Sequence, residues 1–193
     1  MHFNDRTTPL TSLATRRSGK ARDMQSPGPS DAELREILMI AARTPDHGKL
    51  APWRFTIIPV AARERLRSVL EAAYRETKAE PGRAELEAIR EFAHSAPAMI
   101  VASFCPNTGS HIPLWEQQLS VGAAVMNLIH AAHAMGYVAN WLTGWATYSA
   151  MVRNALASPD EQIAGFLFIG TATRELSERP RPDMDGIIRV WTG

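Results

Sequence analysis

Residues 42–55 read ARTPDHGKLAPWRF and mark a change from helix to strand. The residues before this stretch carry apolar side chains at helical spacing, and Pro45 ends the helix that they predict. A second proline precedes Trp53 to Val60, a run rich in aromatic and β-branched residues that predicts a strand. The two prolines stiffen a loop that holds polar groups next to an aromatic ring, and such a loop favours a flat, hydrogen-bonding ligand. Arg43 and His47 are therefore candidate binding residues.

Outward from this loop, helical and strand patterns alternate along the chain. Ser30 and Glu33 form a capping-box pattern at the start of the first clear helix. Apolar spacing and glycine or proline breaks predict three further strands, at Ala98–Cys105, Tyr137–Thr143 and Ala164–Thr171. The same signals predict helices at about 61–94, about 114–135 and 149–156, the first with a break at Pro81-Gly82. This alternation predicts helices that cover a small sheet in layers.

Composition narrows the class of protein. The 193 residues are 45% hydrophobic and 21% charged, so wholesale disorder is excluded. Lysine and arginine number 21 against 20 acidic residues, and the net charge of +1 predicts no binding to nucleic acid or to an anionic membrane. A single cysteine cannot form an intrachain disulfide, and MHFNDRTTPL lacks the apolar core of a secretion signal. We expect a cytoplasmic location and a disordered extension over residues 1–11.

The most apolar stretch runs from Leu119 to Gly136 and lies within the longest predicted helix. Polar residues interrupt it, and no run of about 20 apolar residues occurs anywhere in the chain, so no transmembrane helix is predicted. A helix that is apolar on nearly all sides has to be covered on all sides. In a chain of this size, a second subunit is a plausible cover.

Metal chemistry is not favoured. His130 and His133 lie three residues apart on one helix face, but no carboxylate or third imidazole within that helix joins them, so buried or interface histidines are the preferred interpretation. Cys105 follows an apolar strand and is interpreted as a small hydrophobic residue. The sequence has no Gly-rich phosphate loop, no His-Glu-x-x-His and no Gly-x-Ser-x-Gly.

A second candidate site lies near the start of the chain, ahead of a Pro/Gly/Ser cluster. Arg16, Arg17 and Ser18 place two guanidiniums and a hydroxyl in a row. Guanidiniums form forked hydrogen bonds that match the geometry of phosphate, so this run is a candidate anion site. A solvated surface turn is the alternative interpretation of the same three residues.

Taken in order, Arg-Arg-Ser and then Ala-Arg-Thr-Pro-Asp-His-x-x-x-x-Pro-Trp-x-Phe resemble the FMN-dependent nitroreductase family, in particular its short single-domain branch with a Pro-Asp-His loop. Trp115-Glu116-Gln117, Asn140 to Gly144 and Gly165 to Thr171 agree with this family as well, and the likeness covers about residues 13–174. It implies an α+β fold: a three-layer α/β/α sandwich with a small mixed sheet and a long central helix at a subunit interface. Residues 12–193 are then a single FMN-binding domain.

The resemblance further implies a homodimer with FMN at the interface, each site lined by both chains. The residues implied at the cofactor are Arg16, Arg17, Ser18, Arg43, His47, Trp141, Leu142, Thr143, Arg179 and Arg181. Residues 16–18 would hold the phosphate and ribityl end, the loop with Arg43 and His47 would contribute, and residues 141–143 would line the isoalloxazine. Arg179 and Arg181 stand where many relatives have a second phosphate-binding pair, but the tail is only loosely similar and a solvated basic turn is an equal alternative.

The activity that the resemblance implies is the redox chemistry of bound FMN. NAD(P)H would reduce the flavin, and a nitroaromatic, quinone or related acceptor would then take the electrons in the same pocket, in ping-pong fashion. No catalytic residue is predicted, because the flavin and water can supply the protons; Arg43 is a candidate cation for stabilising the reduced ring. Gly48 is expected to loosen its loop. Two alternatives stay open: other flavin chemistry on this fold, such as dehalogenation or desaturation, and a non-catalytic flavin-binding dimer.

Overall fold

The computed structural model describes residues 2–193 and shows one five-stranded sheet with helices on both faces. The strands are β1 (Met24–Gln25), β2 (Trp53–Ile57), β3 (Ala98–Phe104), β4 (Val138–Leu142) and β5 (Gln162–Ala172). The helices are α1 (Pro9–Ala14), α2 (Asp31–Ala41), α3 (Arg63–Thr77), α4 (Arg83–His94), α5 (Leu114–Ala134), α6 (Trp145–Tyr148), α7 (Ala150–Leu156) and α8 (Met184–Ile187).

The sheet has the order β1-β5-β3-β2, and β4 also pairs with β5. All four pairings between the described strands are antiparallel, so the expectation of a mixed sheet is wrong for this chain. The reason lies in the strand order. Strands β2 and β5 point the same way but are separated by β3, and β3 and β4 point the same way but are separated by β5.

Hydrophobic clusters pack on both faces of the sheet. Every residue of β3 is buried, and its side chains alternate between the two faces. Met99 and Val101 pack with α3, α4 and α7, whereas Ile100 and Ala102 pack with α2 and α5. A strand buried on both faces is typical of a sheet covered by helices on both sides. The predicted three-layer α/β/α arrangement is therefore confirmed.

Most predicted elements are present with boundaries shifted by a few residues. Strand β2 ends at Ile57 rather than Val60, because Pro59 cannot donate to a strand neighbour and the chain turns into a short 3₁₀ helix. The capping box at Ser30 is formed, with both of its hydrogen bonds present. The boundary expected after residue 11 falls inside α1, which Thr8 caps through its side chain.

Helix α5 lies against the sheet through one side and leaves another side uncovered in a single chain. Val125, Leu128 and Ala132 are fully buried in the core below it. On the opposite side, Trp115 is 67% exposed and Leu119 is 54% exposed. Among the helices of residues 2–193, none is long and apolar enough to cross a membrane.

Candidate cofactor site

The two basic segments that the sequence analysis singled out lie together, although about 160 residues separate them in the chain. Arg17 is buried, and its Nε donates to the backbone carbonyl of Ser177 at 2.6 Å. Arg181 Nη2 donates to the carbonyl of Arg16 at 3.5 Å, and Arg16 Nη1 donates to the Ser18 hydroxyl at 3.2 Å. We call Arg16, Arg17, Arg179 and Arg181 the arginine cluster.

The arginine cluster carries more positive charge than its neighbours neutralise. Glu178 pairs with Arg181 at 2.9 Å and lies 4.0 Å from Arg17. Burial lowers the pKa of Arg17, and the nearby charge of Arg179 lowers it further against the opposing effect of Glu178. Burial and Arg181 likewise lower the pKa of Arg16. Four guanidiniums, of which Arg17 and Arg181 lie within 4.0 Å of Glu178, favour binding of an anion.

Three neighbouring cavities, which share lining residues, lie between this cluster and the end of β4. A cleft of about 100 Å³ is lined by Ser18, Lys20 and Arg179, together with Arg174 and two carboxylates. Lys20 and Arg179 also line a groove of about 420 Å³ that reaches Leu142. Leu142 and Thr143 in turn line an apolar cavity of about 350 Å³. A small charged cleft and a larger apolar space thus adjoin the same groove.

The end of β4 presents its side chains in two directions. Asn140 Nδ2 donates to the carbonyl of Gly19, which ties this strand to the arginine-bearing segment, while its buried Oδ1 has no partner among the described residues. Leu142 faces the apolar cavity. Trp141, the intervening residue, donates its indole N–H to the carbonyl of Ala164 at 3.0 Å and lies over Gly165. The structure therefore brings Leu142 and Thr143 to the cavities, and Trp141 to a different face of the sheet.

The loop of residues 45–52, which we call the proline loop, is held by bonds within the chain. Asp46 Oδ2 accepts from the Ala51 N–H at 2.7 Å, and the Ser120 hydroxyl donates to the Pro45 carbonyl at 2.7 Å. Gly48 has a positive φ of 73°, and a Cβ there would lie 2.4 Å from Ile112 Cδ1. The positive φ favours a glycine at this position, and the expectation that Gly48 loosens the loop stays a prediction.

Residues of the Trp-Glu-Gln segment support the proline loop from α5. The Glu116 carboxylate lies 2.8 Å from His47 Nδ1. The buried Gln117 amide donates to the carbonyls of Asn107 and Ile112 and accepts from the Asn107 N–H, which fixes the loop that packs on Gly48. The role of this segment within the chain is therefore to hold the proline loop in one shape.

Comparison with known proteins places the chain in a family. The family model described as "Nitroreductase family" matches residues 13–171. The chain belongs to the Nitroreductase family. A relative in Escherichia coli (strain K12), provisionally named NAD(P)H nitroreductase YdjA, is 35% identical over 167 residues, which cover 84% of this chain and 87% of the relative. A protein of Haemophilus influenzae with a similar provisional name is 35% identical over 173 residues, or 88% and 91% of the two chains.

Solved structures confirm the nitroreductase-like fold. A nitroreductase-like family protein from Bacillus cereus superposes with a TM-score of 0.80 at 20% identity, covering 97% of both chains. A provisionally assigned nitroreductase from Desulfovibrio desulfuricans, solved in complex with FMN, has a TM-score of 0.71 at 22% identity and covers 96% of this chain and 99% of its own. The α+β fold implied by the resemblance is thereby confirmed.

Within one chain, the arginine cluster and the residues Arg43 and His47 of the implied cofactor site do not lie together. His47 contacts Glu116 near the start of α5. Arg16 lies near His130 and His133, where burial and then the charge of Arg16 lower the pKa of both imidazoles. Fourteen residues separate Glu116 from His130, a helix length of about 21 Å. Arg43 is exposed, and its contact to α5 is a backbone carbonyl that accepts from Asn127.

His133 is buried and bonded to the backbone of its own chain. The backbone N–H of Ala139 donates to His133 Nε2, and burial, followed by the charge of Arg16, lowers the pKa of this imidazole to about 4. It is therefore neutral and already engaged with the backbone. Across residues 2–193, no group of three or more His, Cys, Asp or Glu side chains is arranged to hold a metal ion.

Three residues at these cavities were missed by the sequence analysis. Lys20 lines both the charged cleft and the groove, and its position two residues after Ser18 is a signal that could have found it. Tyr74 and Trp145 line the apolar cavity. They are 71 residues apart in sequence, and nothing in the local pattern of either indicates that the fold brings them together.

Proposed function

We propose that the protein is an FMN-dependent NAD(P)H oxidoreductase that reduces nitroaromatic, quinone or related acceptors. Residues 12–193 form its FMN-binding domain, and it acts in the cytoplasm as a homodimer with FMN at the subunit interface. The names of the E. coli and H. influenzae relatives and the FMN in the D. desulfuricans structure support this proposal.

The shared lining of the charged cleft, the groove and the apolar cavity is the observation that carries the proposal. Arg179 belongs to the cleft and the groove, and Leu142 belongs to the groove and the cavity. FMN has the same sequence of chemical parts: a dianionic phosphate, a polar ribityl chain and a planar aromatic ring. The donor set of this chain fits it part by part.

Roles for the individual residues follow from their contacts. Arg16, Ser18, Arg179 and Arg181 are the groups we assign to the phosphate. Arg17 has its Nε and Nη1 engaged with backbone carbonyls, so it positions the tail and adds charge. Leu142 and Thr143 are assigned to the ring.

A cation near the ring end of the site favours the reduced cofactor. Lys20 lines both the charged cleft and the groove that reaches Leu142, which suits a cation placed between phosphate and ring. When bound, FMN supplies two-electron transfer between NAD(P)H and an acceptor, so that a quinone, NAD(P)H and a proton give a hydroquinone and NAD(P)⁺. A fixed ammonium stabilises negative charge that develops on the reduced ring. Lys20 is therefore better placed than Arg43 for that role within one chain.

A second subunit would cover the exposed side of α5 and bring the two halves of the cofactor site together. The uncovered side of α5, with Trp115 and Leu119 exposed, provides an apolar surface for an identical helix. We assign His47 and Arg43, which stand apart from the arginine cluster in one chain, to the site of the neighbouring subunit. This arrangement accounts for a proline loop that is held by bonds within the chain and yet lies apart from the arginine cluster of its own subunit.

An anaerobic titration tests the proposed function. The purified protein is reconstituted with FMN, passed over a sizing column, and titrated with NADH and with NADPH while the visible spectrum is recorded. We expect a dimer that retains FMN and bleaches with at least one coenzyme, followed by reoxidation with menadione or a nitroarene. A protein that cannot be loaded with FMN would overturn the proposal, and a loaded protein that no coenzyme reduces would favour a non-catalytic flavin-binding dimer.

A further inference from the structure

The segment of residues 2–8, which we call the N-terminal segment, folds back on the residues that follow α1. The backbone N–H of Asn4 donates to the Thr15 carbonyl at 3.0 Å, and the backbone N–H of Asp5 donates to the Thr15 hydroxyl at 2.9 Å. Thr15 is buried and directly precedes the arginine-bearing residues. The range that matches the family begins only at residue 13. Residues from outside that range therefore pack against the start of the candidate phosphate site.

The side-chain amide of Asn4 forms a two-way pair with the backbone of Arg17. Asn4 Nδ2 donates to the Arg17 carbonyl at 2.9 Å, and the Arg17 N–H donates to Asn4 Oδ1 at 2.7 Å. The carbonyl belongs to the peptide unit between Arg17 and Ser18, and the N–H belongs to the unit between Arg16 and Arg17. Because each peptide unit is planar, the pair fixes the orientation of both units. Asparagine can do this because one side chain carries a donor and an acceptor.

The orientation of these two peptide units sets the direction of the side chains that we assign to the phosphate. Arg16 and Ser18 flank Arg17, and Arg16 Nη1 donates to the Ser18 hydroxyl at 3.2 Å, so the two side chains converge. Asn140 on β4 holds the far end of the segment by donating to the Gly19 carbonyl. Binding groups that are fixed before the ligand arrives lose less conformational entropy on binding.

The backbone at Asn4 separates the effect of the amide from that of the fold. Asn4 has a positive φ of 54°, in the left-handed region that asparagine adopts more readily than most other residues. An alanine at this position would lose the amide and strain the backbone as well. A glycine would lose the amide but tolerate the positive φ. Asn4→Gly is therefore the substitution that removes the amide pair alone.

We propose that Asn4 is a positioning residue for the phosphate of the cofactor, and that its amide directs Arg16 and Ser18 through the backbone of Arg17. The inference rests on the proposed function, since that function assigns Arg16 and Ser18 to the FMN phosphate. Both polar atoms of the Asn4 side chain are engaged with Arg17, so Asn4 acts through the backbone and not by contacting the ligand. Loss of the amide should weaken recognition of the phosphate and leave binding of the flavin ring unchanged.

A comparison of FMN with riboflavin tests the inference, because riboflavin has the same ring and ribityl chain but no phosphate. Fluorescence titration measures both dissociation constants for the wild-type protein and for Asn4→Gly. We expect Asn4→Gly to bind FMN about tenfold more weakly and to bind riboflavin as the wild-type protein does. His2→Gly, at an exposed position of the same segment, is the matched control and should change neither affinity. Unchanged FMN affinity in Asn4→Gly, or an equal loss of affinity for the two flavins, would overturn the inference.

A double-variant cycle provides a second arm that uses FMN alone. In a protein that already carries Arg16→Ala and Ser18→Ala, the groups that Asn4 directs are absent. Adding Asn4→Gly to this protein should weaken FMN binding by less than about twofold. A further loss of about tenfold would overturn the inference, because Asn4 would then act independently of Arg16 and Ser18. A wild-type protein that binds neither flavin would instead overturn the proposed function.

Discussion

The arginine cluster and the proline loop carry the two motifs of the family resemblance, and they use their polar groups in opposite ways. In the cluster, Glu178 pairs with Arg181 and lies near Arg17, and burial, followed by the charge of neighbouring arginines, lowers the pKa of Arg16 and of Arg17. In the proline loop, the Asp46 carboxylate and the Pro45 carbonyl accept bonds from the chain itself. The guanidiniums of the arginine cluster remain able to bind an anion. The polar groups of the proline loop instead form hydrogen bonds that hold the loop in one conformation.

This difference predicts which measurement each segment controls. Groups whose charge is not neutralised within the fold contribute little to folding and much to binding a counter-charged ligand. Groups that close a strained loop contribute mainly to folding. A change in the proline loop should therefore alter the free energy of unfolding, and a change in the cluster should alter the affinity for FMN.

The largest expected effect is that of Gly48→Ala on stability. Its φ of 73° disfavours an alanine, and the new Cβ would lie 2.4 Å from Ile112 Cδ1. Together, the left-handed backbone and the overpacking should cost about 3 kcal/mol of the free energy of unfolding, measured in urea. Gly109→Ala is the control, because a Cβ there meets Asn107 Oδ1 at an ordinary 3.6 Å. Equal stability of the two variants would show that the proline loop is not tightly packed.

An intermediate effect is expected in the arginine cluster. The double change Arg16→Ala with Ser18→Ala removes two groups assigned to the phosphate and should weaken FMN binding roughly 100-fold, because hydrogen bonds to charged groups are strong. Unfolding of the FMN-free protein should change little. Fluorescence titration with FMN measures the affinity, and Arg35→Ala, an exposed arginine on α2, is the control. Wild-type affinity in the double variant would mean that the phosphate lies elsewhere.

Much of the fold could be predicted from the sequence because its signals are local. The apolar run of β3 and the capping box at Ser30 indicate their elements without reference to the rest of the chain. Strand direction is not a local property, and the sheet was expected to be mixed although every described pairing is antiparallel. The two-residue β1 and the four-residue α6 are too short to give a periodic pattern.

The candidate site was predictable where a motif carries the chemistry in consecutive residues. Arg16, Arg17 and Ser18 were found in this way, and the tail that brings Arg179 and Arg181 to them was reached only through the family resemblance. Contacts between residues far apart in the chain leave no motif in consecutive residues. Neither the Tyr74–Trp145 pair nor the role of Gly48 follows from residue spacing, because both depend on which element packs on which.

The smallest expected effect is on the pH dependence of stability, and it tests whether the charge of Arg16 acts on His133. Burial and then Arg16 lower the pKa of His133 from 6.5 to about 4, so the unfolded chain binds more protons between these values and stability falls as pH decreases through that window. Between pH 7 and pH 5.5 the loss should be about 1 kcal/mol, measured by urea unfolding. His133→Gln should remove most of this loss, and the remainder belongs to His130, whose pKa burial and then Arg16 also lower. Arg16→Ala should reduce the loss by raising the pKa of both imidazoles, and His111→Gln, at an exposed position, should leave it unchanged. If Arg16→Ala leaves the pH dependence untouched, the charge of the cluster does not reach His133 and the contrast with the proline loop is weaker than the structure indicates.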